Sequence, residues 1–337
     1  MAAFVKWSQE IRWKAGLHLL IGWEGNGLRE PMALVEEMAP AGLVFFSRNY
    51  PPGGAAELTD QLGKLQRRSL AVSGRPLLLA LDNEGGLVKR LPPPHIQLPG
   101  APTLAARGVG LIRAMASDSA AELKTLGFNL NLAPVLDLAL PGGFMETRSF
   151  GEDPDAVADL AMAFVNGFND HGIHCCGKHF PGLGAAQADP HKILPTVDLD
   201  AEAMGPHLAP FAKAIDRGLK FVMTSHCAYP GLGLTKISTF SPKLCDILRE
   251  RLGFKGLCLS DDLEMGAVAN NCRLGEAAVS AVTAGHDLVL VCRKRDYIEE
   301  THRALSLATI DGHLKDGRFS ESQRRLESFF ERLKNAL

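Results

Sequence analysis

The segment GLCLSD, residues 256–261, is a short run of apolar side chains that ends in a carboxylate. Similar runs recur along the chain: LHLLIGW (17–23), GLVFFS (42–47), PLLLALD (76–82), NLNLAPVLD (129–137), GIHCCGKH (172–179), KFVMTSH (220–226) and DLVLVC (287–292). Most of them are apolar at consecutive positions rather than at alternate ones, which is typical of strands that are buried on both faces. The chain therefore contains eight candidate strands of a parallel sheet.

Amphipathic segments separate these runs. Two clear examples are PDAVADLAMAFVNGFNDHG (154–172) and SPKLCDILRERLGF (241–254), the second of which opens with Ser241 and Pro242, a favourable helix start. Eight alternations of strand and helix over this length predict an α/β fold, a (β/α)8 TIM barrel. We expect a single catalytic domain over residues 1–337, with a C-terminal helix at about 318–337 that closes the barrel.

Composition and charge exclude several classes of protein. The formal net charge is −2 and the basic residues are scattered, so we expect no nucleic-acid partner. No apolar run approaches the roughly 18 residues of a membrane span, and the N-terminal segment lacks the pattern of a signal peptide. The seven cysteines have no CxxC spacing and several lie in apolar runs. These features favour buried free thiols and a cytoplasmic location.

Polar side chains end five of the eight runs. In a (β/α)8 barrel the carboxyl ends of the strands meet at one face, where the chemistry takes place. Surface capping explains one such residue more easily than it explains five, so the pattern predicts an active site. The strand-end residues are Asp82, Asp137, Lys178 with His179, His226, and Ser260 with Asp261 and Asp262.

Carboxylates that share a pocket suggest glycoside hydrolysis, in which one acts as nucleophile or base and another group as acid. Asp261 is the best nucleophile candidate, because it lies at a strand tip where backbone donors would keep it ionised. The alternative is that Asp261 or Asp262 is the N-cap of the following helix.

The segment GKHFPGLGAAQADPH, residues 177–191, surrounds titratable side chains with small residues. A loop that must bend and approach a ligand closely would have this composition. The alternative for Asp189 and His191 is a surface turn, because the Asp-Pro pair favours turns.

A metal site is the main chemical competitor. His174, His179, His191 and His226 are the residues that could converge. The chain has no HExxH motif and no Cys/His cluster in the usual spacing, so we expect no catalytic metal and no cofactor.

The strand-end motifs, taken in order, resemble those of glycoside hydrolase family 3, and most closely its single-domain β-N-acetylglucosaminidases. LDNEGGLVKRL resembles the family's D-x-E-G-G-R-V-x-R-L segment, and GKHFPGLG…DPH resembles its K-H-F-P-G-H-G…D-S-H loop. The resemblance covers nearly the whole chain, and the other matching segments are GLVFFSRN, GFNLNLAPVLDL, TRSFGEDP, FVMTSHCAYPGL and LSDDLEMGAV.

The resemblance implies a role for each matching residue. Asp261 would be the nucleophile, and His191 would be the acid/base in a dyad with Asp189. A histidine adds no negative charge beside the glycosyl-enzyme, and its unperturbed pKa of about 6.5 suits proton transfer near neutrality. The residues that would contact the sugar are Asp82, Arg90, Arg148, Lys178 and His179.

Three positions depart from the family pattern. Leu87 stands where the family usually has Arg, Leu183 where it usually has His, and Pro190 replaces a Ser within the dyad. If Leu87 and Leu183 line the pocket, substrate preference would differ from the usual murein fragment.

The expected function is that of a retaining exo-β-N-acetylglucosaminidase, which removes N-acetylglucosamine from murein-derived muropeptides in peptidoglycan recycling. The expected partner is this small carbohydrate, and the sequence indicates no particular protein partner. The alternatives are a β-glycosidase of other specificity, a glycoside phosphorylase, and a sugar-binding barrel with reduced activity.

Overall fold

The computed structural model describes residues 8–186, 188–190, 192–314 and 317–336. Eight parallel strands form a closed barrel in sequence order. Their bounds are β1 Leu19–Ile21, β2 Gly42–Phe45, β3 Leu78–Leu81, β4 Leu130–Asn131, β5 His174–Phe180, β6 Phe221–Thr224, β7 Leu257–Asp262 and β8 Leu288–Val291. The predicted (β/α)8 barrel is confirmed, and each predicted apolar run overlaps one of the strands, although β5 and β7 extend one residue beyond their runs.

The helices pack around the sheet and connect its strands. Their bounds are α1 Gln9–Gly16, α2 Arg29–Met38, α3 Gly54–Ser73, α4 Ala101–Ala105, α5 Val109–Leu126, α6 Pro154–Asn169, α7 Met204–Asp216, α8 Pro242–Asp246, α9 Gly266–Ala269, α10 Leu274–Ala284, α11 Arg295–Ile310 and α12 Gly317–Asn335. A π-helical stretch, Ile247–Arg251, continues α8. Among the described residues, none of these helices combines the length and the apolar character that a membrane crossing needs.

The predicted strand at 129–137 is much shorter in the structure. β4 ends at Asn131, and only an isolated bridge between Val135 and Lys178 continues the pairing. Pro134 lies between them and has no amide hydrogen to donate to a neighbouring strand. The run therefore leaves the ladder early and carries Asp137 to the end of the barrel.

Helix α12 covers the amino-terminal end of the barrel. Its side chains Leu326, Phe329, Phe330 and Leu333 belong to the apolar cluster that fills the barrel interior. The ring of Phe329 lies 5.3 Å from that of His174 and 5.2 Å from that of Phe221, the first residues of β5 and β6. With this end sealed, the opening of the barrel lies at the carboxyl ends of the strands.

Candidate active site

A cleft of about 180 Å³ opens at the carboxyl end of the barrel. Residues at or after the carboxyl ends of β2, β3, β4, β5 and β7 supply its polar and aromatic lining, so distant parts of the sequence meet there. The main lining residues are Phe46, Asp82, Glu84, Arg90, Arg148, Lys178, His179, Asp261, Asp262 and Met265. The structure thus brings six of the eight predicted site residues into one cleft.

Asp82, directly after β3, joins two cations. Lys178 Nζ lies 2.8 Å from its Oδ1, and Arg90 Nη2 donates to its Oδ2 at 2.6 Å. Burial alone would raise the pKa of Asp82, but the charges and hydrogen bonds of Lys178 and Arg90 outweigh it and hold that pKa well below its usual range. Asp82 is therefore a fixed carboxylate whose position is set from two sides.

Glu84 extends this network to a second arginine. Arg148 binds it with two hydrogen bonds, Nη2 to Oε1 at 2.7 Å and Nε to Oε2 at 2.9 Å, and Lys178 Nζ lies 2.7 Å from the same Oε1. Burial opposes ionisation here too, yet Lys178 and Arg148 lower the pKa of Glu84 to about 2. Lys178 is thus shared by two carboxylates, and their charges raise its pKa against the effect of burial.

Asp137 orients His179 through hydrogen bonds. Its Oδ2 accepts hydrogen bonds from His179 Nδ1 at 2.7 Å and from the His179 amide at 3.1 Å, and its Oδ1 accepts from the Leu183 amide at 2.6 Å. Asp137 is fully buried, so this carboxylate contributes to the frame of the cleft rather than to its surface. In the neutral imidazole the arrangement assigns the proton to Nδ1.

Asp261 and Asp262 end β7 at the edge of the cleft. Asp261 Oδ1 accepts a hydrogen bond from the Asp262 amide at 2.8 Å, while Asp262 Oδ1 accepts from the amides of Glu264 and Cys292 at 3.0 and 3.2 Å. Burial and the nearby charges of Glu264 and Asp261 raise the pKa of Asp262 to about 7, against the effect of its hydrogen bonds. The two adjacent carboxyl groups therefore have different environments.

Neither of these aspartates is a helix N-cap. The next helix, α9, begins at Gly266, its cap position is Met265, and no side chain caps it. The capping alternative for Asp261 and Asp262 is therefore wrong for the described structure. Asp262 instead holds the turn that follows β7 through the Glu264 amide.

His226 does not line the cleft but contacts the backbone of the cleft residue Asp262. Its Nδ1 lies 2.7 Å from Thr239 Oγ1, and its Nε2 lies 3.1 Å from the carbonyl oxygen of Asp262. The ring is fully buried, and burial lowers its pKa. His174, another possible metal ligand, lies at the opposite end of the barrel against Phe329, so it does not converge with His179 and His226.

The loop after β5 contacts the segment after β7. The Ala267 amide donates to the Pro190 carbonyl at 3.0 Å, and Asn270 Nδ2 donates to the Lys192 carbonyl at 3.0 Å. Asp189 lies in this loop, and its carbonyl accepts a hydrogen bond from the Lys192 amide at 3.0 Å. His191 lies outside the described residues. Pro190 and Lys192 therefore lie against α9, directly after the cleft residue Met265.

The two leucines that depart from the family pattern are not part of the cleft lining. Leu87 is 85% exposed, at the tip of the turn between Gly85 and Val88. Leu183 is buried in the apolar layer outside the barrel, and only its backbone amide serves the site, through Asp137. The condition for an altered substrate preference, that both side chains line the pocket, is therefore not met.

Three residues that line or frame the cleft have no role assigned from the sequence. Glu84 lies two positions after Asp82, within the LDNEGGLVKRL segment. Its closeness to the end of β3 could have indicated that it reaches the cleft. Asp137 and His179 are both strand-end residues in the sequence, but the sequence does not indicate that they pair. Phe46 lines the cleft with the guanidinium groups of Arg48 and Arg90 at 4.3 and 4.9 Å from its ring centre, a cation–π contact that only the fold reveals.

The fold and the cleft together define a (β/α)8-barrel enzyme with a small, densely polar binding site. Residues 20–329 match the glycosyl hydrolase family 3 N terminal domain. The chain therefore belongs to glycosyl hydrolase family 3 and is a glycoside hydrolase, an enzyme that acts on O-glycosyl bonds.

Individual relatives agree with this family. A beta-hexosaminidase of Nitrosomonas eutropha is 36% identical over 271 residues, which cover 77% of this chain and 75% of the relative. A beta-hexosaminidase of Haemophilus influenzae is 32% identical over 322 residues, 93% and 89% of the two chains.

Solved structures share the fold. A family 3 beta-N-acetylglucosaminidase from Paenibacillus sp. superposes with a TM-score of 0.90 at 34% identity; the match covers 98% of this chain and 63% of the Paenibacillus chain. A beta-N-acetylhexosaminidase from Beutenbergia cavernae gives 0.87 at 28% identity, over 97% and 100% of the two chains.

Proposed function

We propose that this chain is a retaining exo-β-N-acetylglucosaminidase that removes the non-reducing N-acetylglucosamine from murein-derived muropeptides during peptidoglycan recycling in the cytoplasm. The observation that carries the proposal is the position of Asp261 at the edge of the cleft that contains the Asp82–Lys178–Arg90 network. The relatives described as beta-hexosaminidases support the choice of sugar. In this proposal residues 1–337 act as one catalytic domain.

The cleft is suited to a single sugar residue. Its volume of about 180 Å³ is below the roughly 300–1,000 Å³ of sites for drug-sized ligands, which favours an exo-acting enzyme with one enclosed ring. In the proposed complex Asp82 and His179 bind sugar hydroxyls. The cations Lys178, Arg90 and Arg148, already oriented by their carboxylates, donate further hydrogen bonds. Because these groups are held before the sugar arrives, little ordering remains on binding.

The proposed reaction has two steps with opposite proton transfers. In the first, the Asp261 carboxylate bonds to the anomeric carbon while His191 donates a proton to the departing glycosidic oxygen. In the second, His191 takes a proton from water, whose oxygen bonds to the anomeric carbon as the bond to Asp261 breaks. Asp189 stabilises the imidazolium, which is the form of His191 before the first step and is formed again in the second. The contacts of Pro190 and Lys192 with α9 support this assignment, because they hold the chain on both sides of position 191 near the segment that follows Asp261.

The test is hydrolysis of an aryl N-acetyl-β-glucosaminide, followed by NMR of the first-formed anomer. We expect turnover with net retention, a lower kcat/KM on the matching aryl β-glucoside, and no acceleration by phosphate. The absence of turnover on any aryl glycoside would favour the sugar-binding barrel, and a sugar phosphate product would favour the phosphorylase. A purified murein disaccharide-peptide then tests the aglycone, with release of free N-acetylglucosamine as the expected result.

A further inference from the structure

Cys245, Cys258 and His286 form a buried cluster outside the cleft. One ligand atom of each, two sulfur atoms and one ring nitrogen, lies within 4.8 Å of the other two. All three residues are at most 1% exposed, and the two cysteines belong to the apolar layer between the barrel and its helices. The cluster therefore has no part in the glycosidase site, and its role does not depend on the proposed function.

Three separate elements supply the cluster. Cys245 lies on α8, Cys258 is the second residue of β7, and His286 lies in the turn between α10 and β8. Gly285 allows the turn to approach α8, because a Cβ at this position would lie 3.1 Å from the Cβ of Cys245 and its φ is +114°. The three residues are far apart in the sequence, which explains why no spacing motif predicts the cluster.

The donor set is that of a thiophilic metal site. Thiolate and imidazole are the ligands that Zn²⁺ takes in proteins. With metal–ligand distances of about 2.0–2.3 Å, ligand atoms around tetrahedral zinc lie about 3.5–3.8 Å apart. Cys245 Sγ is already 3.8 Å from His286 Nδ1. We propose that Cys245, Cys258 and His286 bind one thiophilic metal ion, with Zn²⁺ as the expected occupant.

The surroundings of His286 suit a ligand nitrogen. Its Nε2 lies 2.8 Å from Thr224 Oγ1, a buried hydroxyl that can accept the ring proton and direct Nδ1 to the metal. Nδ1 also lies 3.0 Å from the Ala281 carbonyl, so binding replaces that hydrogen bond. The carbonyl loses little, because it keeps the backbone amides of His286 and Gly285 as donors.

The charge balance also favours a divalent ion. Two thiolates and one Zn²⁺ sum to zero, which avoids the cost of isolated charges in an apolar layer. No fourth Cys, His, Asp or Glu joins the group within the described ranges, so we expect weaker binding than in a four-ligand structural site.

The test is a titration of the reduced, chelator-treated full chain with Co²⁺. We expect thiolate-to-cobalt charge-transfer absorption that saturates at one ion per chain and is abolished by competing Zn²⁺. The double variant Cys245→Ser/Cys258→Ser should lose this absorption, whereas the control Cys272→Ser, which changes a partly exposed cysteine outside the cluster, should keep it. Absence of the absorption in the wild-type chain, or its retention in the double variant, would overturn the proposal.

A milder variant covers the possibility that the double variant does not fold. Thr224→Val keeps the size of the side chain but removes the hydroxyl next to His286. We expect cobalt affinity to fall by about 10- to 100-fold, the usual effect of losing a group that orients a ligand. An unchanged affinity in a chain with native circular dichroism would contradict the assignment of His286 as a ligand.

Discussion

The backbone amide of Ala267 donates a hydrogen bond of 3.0 Å to the carbonyl of Pro190. This contact joins the loop after β5 to the segment after β7, the two parts of the chain that carry the proposed acid/base and the proposed nucleophile. Backbone groups make the contact, so it does not depend on the side chain of the proposed acid/base or of the proposed nucleophile. The relationship motivates the first two predictions.

Replacing His191 by Ala should separate substrates by their leaving groups. We expect a large loss of kcat/KM, about 10²- to 10⁴-fold, on a natural disaccharide, and a much smaller loss on an aryl glycoside whose leaving group needs little protonation. The measurement is kcat/KM on both substrates. The control is His313→Ala, which removes an exposed histidine and should affect neither. Equal losses on the two substrates would contradict the acid role.

Replacing Asp261 by Ala should abolish formation of the glycosyl-enzyme and lower kcat by about 10⁴-fold or more, as expected for a covalent nucleophile. The neighbouring variant Asp262→Asn is the matched control. Its side-chain oxygen can still accept the two backbone hydrogen bonds, so we expect kcat within about tenfold of wild type. Trapping of the intermediate and steady-state kinetics check both. The reverse order of effects would move the nucleophile to Asp262.

The same Asp262→Asn variant should change how stability depends on pH. The folded pKa of about 7 exceeds the ordinary value of 3.8, so the folded state binds more protons than the unfolded state between these values. The carboxyl group's contribution to stability is therefore full below about pH 4 and is lost as the pH rises to about 7. We expect the difference in free energy of unfolding, wild type minus variant, to fall across this window. Urea denaturation at several pH values measures it, and parallel curves would contradict the raised pKa.

Lys178→Met should destabilise the fold as well as weaken substrate binding. The change leaves two buried carboxylates, Asp82 and Glu84, without their shared cation, and breaking a buried pair in this way costs about 3–5 kcal/mol. Lys64→Met is the matched control, because its ion pair with Asp60 is half-exposed and should contribute less than about 1 kcal/mol. Chemical denaturation compares the two. Similar small losses would show that the arginines alone neutralise the carboxylates.

Two of the three family departures, Leu183 and Leu87, should differ in how much restoration of the usual residue costs. Leu183→His would place an imidazole in the apolar layer and should cost about 2–4 kcal/mol of stability. Leu87→Arg changes an exposed side chain and should alter stability by less than about 0.5 kcal/mol. We also expect Leu87→Arg to leave the aryl glycoside kcat/KM within about threefold. A larger change would show that position 87 reaches the substrate.

The barrel itself was predictable because a strand buried on both faces must be apolar at nearly every position. The runs at 76–82 and 256–261 show this directly, and the residues that end them, Asp82 and Asp261, could be assigned to one face from topology alone. The run at 129–137 was assigned too many strand residues, because apolar composition does not reveal where Pro134 interrupts the ladder.

Which side chains of the cleft pair with one another is decided by the tertiary structure. Glu84 and Arg148 are 64 residues apart, and the sequence does not indicate that they form a bidentate ion pair. Nor does it indicate that Lys178 pairs with both Glu84 and Asp82. The sequence likewise does not indicate that Cys245, Cys258 and His286 lie close together. Sequence by itself determined which residue types stand at the strand ends, since periodicity and burial are local properties. Which of them touch depends on barrel closure and on the direction of each side chain, and these exist only once the whole chain has folded.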